Sequence, residues 1–275
     1  MSLRPALKWH RLRQVRSDCA FGLTSMLQGW ACGASMEVDL RALGDGDFVC
    51  LHDATVDRET SAAGPVRDFT SSDVRSMVMR TDDGHLTDLQ PMLLGDLAAA
   101  MDGDAVHPDA LMQLDFKDDI GALSAGHRQH FHACLASCAD RFILSGDDPA
   151  GLLSLGAGLP GLKIGYDPCR DDTLVELQQT LAFEAFARDA VGRVPFASYV
   201  YLEYPIILAG LDAGVNVVSI FQSAGMKVDA YTLNADHHGV DETLRRLVQA
   251  GVDQVTTDEP LALDNILSRV IPQTD

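Results

Sequence analysis

The chain is short of positive charge: 21 Lys and Arg stand against 40 Asp and Glu, a formal net charge of −19 over 275 residues. So acidic a surface argues against nucleic acid or an anionic membrane as a partner, because both attract basic patches. The protein's own field also repels a phosphate, so any phosphate site must be made locally positive by a metal, Arg or Lys. Cysteine is sparse and unpatterned. Cys19, Cys32, Cys50, Cys134, Cys138 and Cys169 show no metal-knuckle spacing, and the four-residue step from Cys134 to Cys138 merely shares a helical face. Reduced, buried thiols are the expectation. No apolar run follows Met1-Ser2-Leu3-Arg4-Pro5, which argues against a secretory signal, and no window approaches a membrane span. These absences predict a cytoplasmic protein with no integral membrane association.

What is present is enough apolar content, 47%, for one large core. No composition shift or linker divides the chain, so residues 1–275 read as a single domain. Strand patterns at Leu7–His10, Met36–Leu40, Leu111–Lys117, Arg141–Leu144, Leu162–Tyr166, Ala197–Leu202, Lys227–Leu233 and Gln254–Thr257 alternate with helical ones. The helices are expected at 21–32, 91–101, 119–139, 149–155, 172–188, 206–213, 241–249 and 261–270. Residues 217–225 fit either strand or helix. Taken as helix, they leave about eight strands, the pattern of an α/β (β/α)8 TIM barrel. The rival, an open doubly wound sheet, would show a glycine-rich first turn, and there is none.

The chemistry centres on Met36-Glu37-Val38-Asp39-Leu40. On a strand, Glu37 and Asp39 share a face and Val38 points the other way. Two adjacent carboxylates repel unless a cation lies between them. The turn at Gly44-Asp45-Gly46-Asp47 makes Phe48–Leu51 the second arm of a hairpin, a small hairpin and loop insertion that carries His52 and Asp53 back towards the acids. The plainer alternative is a surface strand with solvated acids and an incidental His. A barrel, however, gathers its functional residues at the carboxyl ends of its strands. There the chain places His10 and Arg11, Glu37 and Asp39, His52, Asp115 and Lys117, Tyr231 to Asn234, and Thr257 to Pro260. Carboxylates, imidazoles and cations meeting at one end suit a catalytic site. Arg13 and Arg16 read as solvated loop residues. His127, His130 and His132 read as a surface cluster on one helix.

Over residues 9–260 the chain resembles the glycerophosphodiester phosphodiesterases. The resemblance rests on His10-Arg11, Glu37-Val38-Asp39, His52-Asp53, Asp57-Arg58-Glu59-Thr60, Asp115-Phe116-Lys117, Tyr231-Thr232-Leu233-Asn234 and the run Gly251 to Pro260. It implies a divalent cation, Mg2+ or Ca2+, on Glu37, Asp39 and Asp115, whose hard oxygen ligands suit those ions. It assigns the phosphate oxygens to Arg11 and Lys117, general acid–base work to His10 and His52, and a wall for the organic part of the substrate to Tyr231. The implied reaction takes a small phosphodiester, a glycerophosphodiester, to glycerol phosphate and an alcohol. Two relatives of that reaction compete: a lysophospholipid-cleaving enzyme of phospholipase D type, and a catalytically weak binding or regulatory protein. Four positions depart from the family pattern. Leu12 replaces the Gly of His-Arg-Gly, and Ser17-Asp18-Cys19-Ala20 stands for Pro-Glu-Asn-Thr, with Asp18 as the candidate stand-in. Asp115 replaces Glu, and Tyr231 replaces Trp.

Overall fold

The structure, a computed structural model, describes residues 4–102 and 106–271. Nine strands run β1 (Ala6–Trp9), β2 (Ser35–Ala42), β3 (Phe48–Cys50), β4 (Leu111–Phe116), β5 (Phe142–Ser145), β6 (Lys163–Tyr166), β7 (Tyr199–Glu203), β8 (Lys227–Tyr231) and β9 (Gln254–Thr257). Their hydrogen-bonded order is β1-β9-β8-β7-β6-β5-β4-β2-β3, and β1 also pairs with β2. With helices between the strands, that is the order of a (β/α)8 barrel, to which β3 adds an antiparallel arm. Residues 217–225 resolve to a helix, Val217–Ser223, held by the Asn216 side chain, which accepts from the Ser219 amide.

The chain clusters into two compact units, Trp9–Leu162 and Met1–Lys8 with Lys163–Asp275. In Trp9–Leu162, β2 and β4 pair in parallel with Glu37 opposite Gln113 and Asp39 opposite Asp115, and β4 pairs in parallel with β5. The interior of β2 is buried on both faces, as parallel strands between helices are. Leu43 N–H donates to the Asp47 carbonyl to close the β2–β3 turn, where Gly46 sits at φ +101°. Phe48 at the start of β3 packs edge-on against Phe116 and Phe131, with ring centroids 6.0 and 5.8 Å apart. The loop after β3 is pinned by isolated antiparallel bridges at Thr55–Pro65, Thr60–Met79 and Arg80–Leu86.

In the other unit, β6 to β9 pair in parallel over a core that includes Val200, Leu202, Ile206, Phe221, Val228, Leu247 and Leu263. A buried ion pair joins Lys8 to Asp229 at 2.9 Å. Thr256 donates to Asp229 at 2.6 Å and the Lys8 ammonium lies 4.3 Å from the Tyr201 ring centre, so neither charge is left without compensation.

Two helices differ from the sequence expectation. The helix expected over 172–188 is broken into Thr173–Thr180 and Phe183–Arg193, because Leu181 takes a left-handed conformation and its amide closes onto the Leu177 carbonyl. The one expected over 119–139 starts later, as Ala125–Leu135, where Ser124 accepts from the His127 amide as N-cap. All six cysteines are unpaired. Only Cys50 and Cys138 are buried, three are half-buried, and Cys32 is exposed. Among the described residues no single helix is long and apolar enough to cross a membrane.

Candidate active site

β1 ends in a tight turn over His10–Leu12, in which Arg11 and Leu12 both take positive φ, +52° and +63°. The turn has identifiable anchors. The Arg11 amide donates to Glu37 Oε2 at 2.9 Å, the Arg13 amide to the His10 carbonyl at 3.0 Å and the Phe21 amide to the Arg11 carbonyl at 2.8 Å. Leu12 therefore does hold a conformation suited to the glycine of the family pattern, at a cost of about 1–2 kcal/mol for a residue with a Cβ. Its side chain is fully buried. Emptying such a site costs about 2–5 kcal/mol, more than the strain released. Leu12→Gly is thus expected to lower the unfolding free energy by about 2 kcal/mol in urea titration; a stabilised variant would show that strain, not packing, governs this turn.

β2 carries Glu37 and Asp39 on one face, both nearly inaccessible, and the parallel register with β4 sets Asp39 beside Asp115. Lys117, just past β4, reaches Asp39 Oδ1 at 3.0 Å and also bonds the Asp115 carboxylate; Arg11 Nε lies 3.0 Å from Asp39 Oδ2. Ligand oxygens of Glu37, Asp39 and Asp115 all lie within 4.8 Å of one another. Electrostatics separate the two β2 acids. Burial and the neighbouring Asp39 charge push Glu37 up to about 7, with His10 opposing. Burial also works to raise Asp39, but Lys117 and Arg11 overcome it and hold that carboxyl below its ordinary value. The same carboxylates more than offset the burial of Lys117 and keep its ammonium above the ordinary lysine range. A set of three close oxygen donors, two of them buried, fits a hard divalent cation.

His10 Nε2 lies 3.9 Å from Glu37 Oε2. His52, two residues past β3, is held from several sides. Its Nδ1 is 2.7 Å from Asp53 Oδ1, and Asp53 in turn accepts two hydrogen bonds from Arg58, at 2.6 and 2.9 Å. That Arg58 pair, followed by the His52 bond, holds Asp53 far below the usual carboxylate range. Both imidazoles act on the charge of Asp39. The hairpin therefore does return His52 to the acids.

Seven of the eight expected site residues meet in Trp9–Leu162: His10, Arg11, Glu37, Asp39, His52, Asp115 and Lys117. Tyr231 belongs to the other unit, at the end of β8, where its hydroxyl donates to Asp167 at 2.7 Å. In that unit the closing motifs tie β8 to β9: Asn234 donates to Asp258 and accepts from the Asp258 amide and the Thr257 hydroxyl. Asp18 does not stand in for the missing glutamate, because its carboxylate is taken by the Gln14 and Val15 amides of its own loop. Arg13 is not solvated; it is buried and paired with Asp82 at 2.8 Å, whereas Arg16 is exposed. The three histidines of helix Ala125–Leu135 serve separate half-buried contacts, His127 with the Leu43 carbonyl, His130 with Asp47 and His132 with the Leu155 carbonyl.

Three residues were given no role by the sequence. Arg41 donates to the His52 carbonyl, the Lys117 carbonyl and Asp118, bracing the ends of β3 and β4. It shares strand parity with Glu37 and Asp39, the one local signal that could have found it. Ser145, fully buried, donates to Asp115 at 3.0 Å while accepting from Gln113, which steadies the shorter acid. Glu59 accepts from the His52 and Asp53 amides.

Carboxylates, basic groups and two histidines gathered near strand ends of a (β/α)8 barrel suit phosphate-ester chemistry. The family model for the glycerophosphoryl diester phosphodiesterase family matches residues 23–262. The chain belongs to that family and is an enzyme of the phosphoric diester hydrolase class. A glycerophosphodiester phosphodiesterase from Caldanaerobacter subterraneus subsp. tengcongensis is 26% identical over 239 residues, which cover 85% of this chain and 86% of the relative. Among solved structures, a protein from Silicibacter pomeroyi assigned to the glycerophosphoryl diester phosphodiesterases superposes with a TM-score of 0.71 at 20% identity, covering 97% of this chain and 96% of that one. A phosphodiesterase from Oleispira antarctica, solved in complex with the product sn-glycerol-3-phosphate, gives 0.65 at 16% identity over 96% and 97% of the two chains. At these identities the structural likeness shows the barrel fold.

Proposed function

We propose that this chain hydrolyses glycerophosphodiesters to glycerol phosphate and an alcohol, with His10 and His52 as the acid–base pair, in one catalytic domain spanning residues 1–275. The observation that carries the proposal is the meeting of Glu37, Asp39, Asp115, Lys117 and Arg11 with both imidazoles in one unit. Family membership and the product named for the Oleispira structure support the choice of substrate.

The chain's net charge of −19 makes local neutralisation of a phosphodiester a first requirement. Arg11 and Lys117 supply fixed cations, the guanidinium suited to paired phosphate oxygens and the ammonium to a point contact. Glu37, Asp39 and Asp115 would hold a divalent cation, Mg2+ or Ca2+, which when bound adds charge neutralisation for the phosphate. His52, oriented through Nδ1 by Asp53, offers Nε2 for proton transfer. One imidazole removes the proton of the attacking hydroxyl, for which the family resemblance implies the substrate's own neighbouring group. The other protonates the departing alkoxide, a poor leaving group until it gains that proton; the alcohol leaves, and the cyclic glycerol phosphate that remains is opened to glycerol phosphate by a water molecule that gives its proton to an imidazole. Tyr231 is assigned to the organic part of the substrate, and the acidic composition supports a small-molecule substrate rather than nucleic acid.

The test is turnover of glycerophosphocholine by the purified protein with Mg2+, with Ca2+ and with EDTA. Turnover that needs the cation and stops in EDTA is the expected result. Release of nitrophenol from bis(p-nitrophenyl) phosphate, which carries no neighbouring hydroxyl, with no turnover of the natural diester would retain phosphodiester cleavage but overturn both the substrate and attack by its own hydroxyl; no turnover of either would overturn the enzyme proposal.

A further inference from the structure

The carboxylate lost from the Pro-Glu-Asn-Thr position is not replaced by Asp18, yet another buried carboxylate stands near that loop. Glu59 occupies the third place of Asp57-Arg58-Glu59-Thr60, where the family resemblance has Thr, and it is only 4% exposed. It acts electrostatically on Arg11 and on Cys19, the residue next to Asp18. Its Oε2 accepts from the His52 amide at 3.0 Å and from the Asp53 amide at 2.8 Å, and Arg58 lies 3.7 Å from Oε1.

The geometry points to Glu59 as a positioning residue for the reaction, holding the His52–Asp53 backbone so that Asp53 can orient the His52 imidazole. This rests on the proposed acid–base role of His52. The His52 ring contact and the backbone clamp are parts of one assembly. Arg58 fixes Asp53 from the side-chain end, and Arg41 holds the His52 carbonyl. Glu59 is the acceptor for both amides of the dipeptide, and two amides converging on one buried carboxylate oxygen make charge-assisted bonds stronger than neutral ones. Without that acceptor the amides are left to find other partners, and the imidazole shifts with its backbone. A misplacement of about 1 Å in a reacting group costs about 10²-fold in rate.

Four measurements on the full chain decide it. Glu59→Ala is expected to lower kcat for glycerophosphocholine by about 10²-fold with KM little changed. Glu59→Gln, whose amide oxygen can still accept both bonds, is expected to stay close to the parent. Combined with His52→Ala, Glu59→Ala should cost almost nothing further, since residues acting as a unit are not additive. An equal loss in both backgrounds, or a Gln variant as damaged as Ala, would overturn the positioning role; if Glu59→Ala does not fold, Glu59→Thr takes its place. A nitrogen-resolved NMR spectrum of the His52 ring gives a readout apart from activity. The parent should show the neutral tautomer protonated on Nδ1, and the Ala or Thr variant should lose that preference. A parent that turns over no diester yet shows this change overturns the proposed function and upholds the positioning; an unchanged tautomer overturns the positioning itself.

Discussion

His10→Ala and His52→Ala are each expected to lower kcat for glycerophosphocholine by roughly 10²–10⁴-fold, the usual worth of a general acid or base. The Michaelis constant should move much less, because the phosphate contacts proposed for Arg11 and Lys117 remain in place. The double variant should fall well short of the product of the two single losses, as groups acting in one proton-transfer pathway do. Initial rates over a substrate range, with circular dichroism to confirm folding, provide the check. His10 sits in a turn whose backbone is fixed by Glu37, and His52 at the end of a hairpin braced by Arg41 and Glu59. Neither backbone anchor depends on the imidazole itself, so truncation should remove function with little loss of fold. A His52→Ala enzyme as fast as the parent would remove that residue from the mechanism, and the Glu59 proposal with it.

Asp39→Asn is expected to destabilise the cation-free protein by about 3 kcal/mol, in the lower part of what breaking a buried ion pair costs. The lower figure applies because Lys117 keeps Asp115 and Arg11 keeps Glu37 in its field. Asn retains the shape but cannot balance two half-buried cations, and it removes one of three candidate ligands. In the parent, a divalent cation at about 100 times its dissociation constant should add about 2.7 kcal/mol of stability; in Asp39→Asn that increment should vanish. Urea unfolding in EDTA and in excess Mg2+ or Ca2+ measures both effects. A variant as stable as the parent would contradict the charge balance described here. One still stabilised equally by the cation would place the ion elsewhere.

Much of the site lies in patterns a linear chain can carry. Strand alternation puts Glu37 and Asp39 on one face, and the same period puts Asp115 and Lys117 on one face. The turn at Gly44–Asp47 predicts the hairpin that returns His52, and the strand–helix rhythm predicts the barrel. These features depend on near neighbours and on backbone geometry, so the amino-acid sequence alone determines them.

Only the tertiary structure decided the rest. Leu12 holds a left-handed conformation that its residue type disfavours, because buried packing and the bonds around the turn outweigh a local preference. Arg13 looks like a solvated loop residue until Asp82, 69 positions away, provides its buried partner. The break at Leu181 interrupts what reads as a continuous helix. Asp18 has the right charge in the right place along the chain, yet its carboxylate folds back onto its own loop while Glu59 reaches the His52 backbone. Chemical type and spacing are written locally. Which buried amide meets which carboxylate is settled by the path of the whole chain, because unpaired polar groups are costly only where folding removes water.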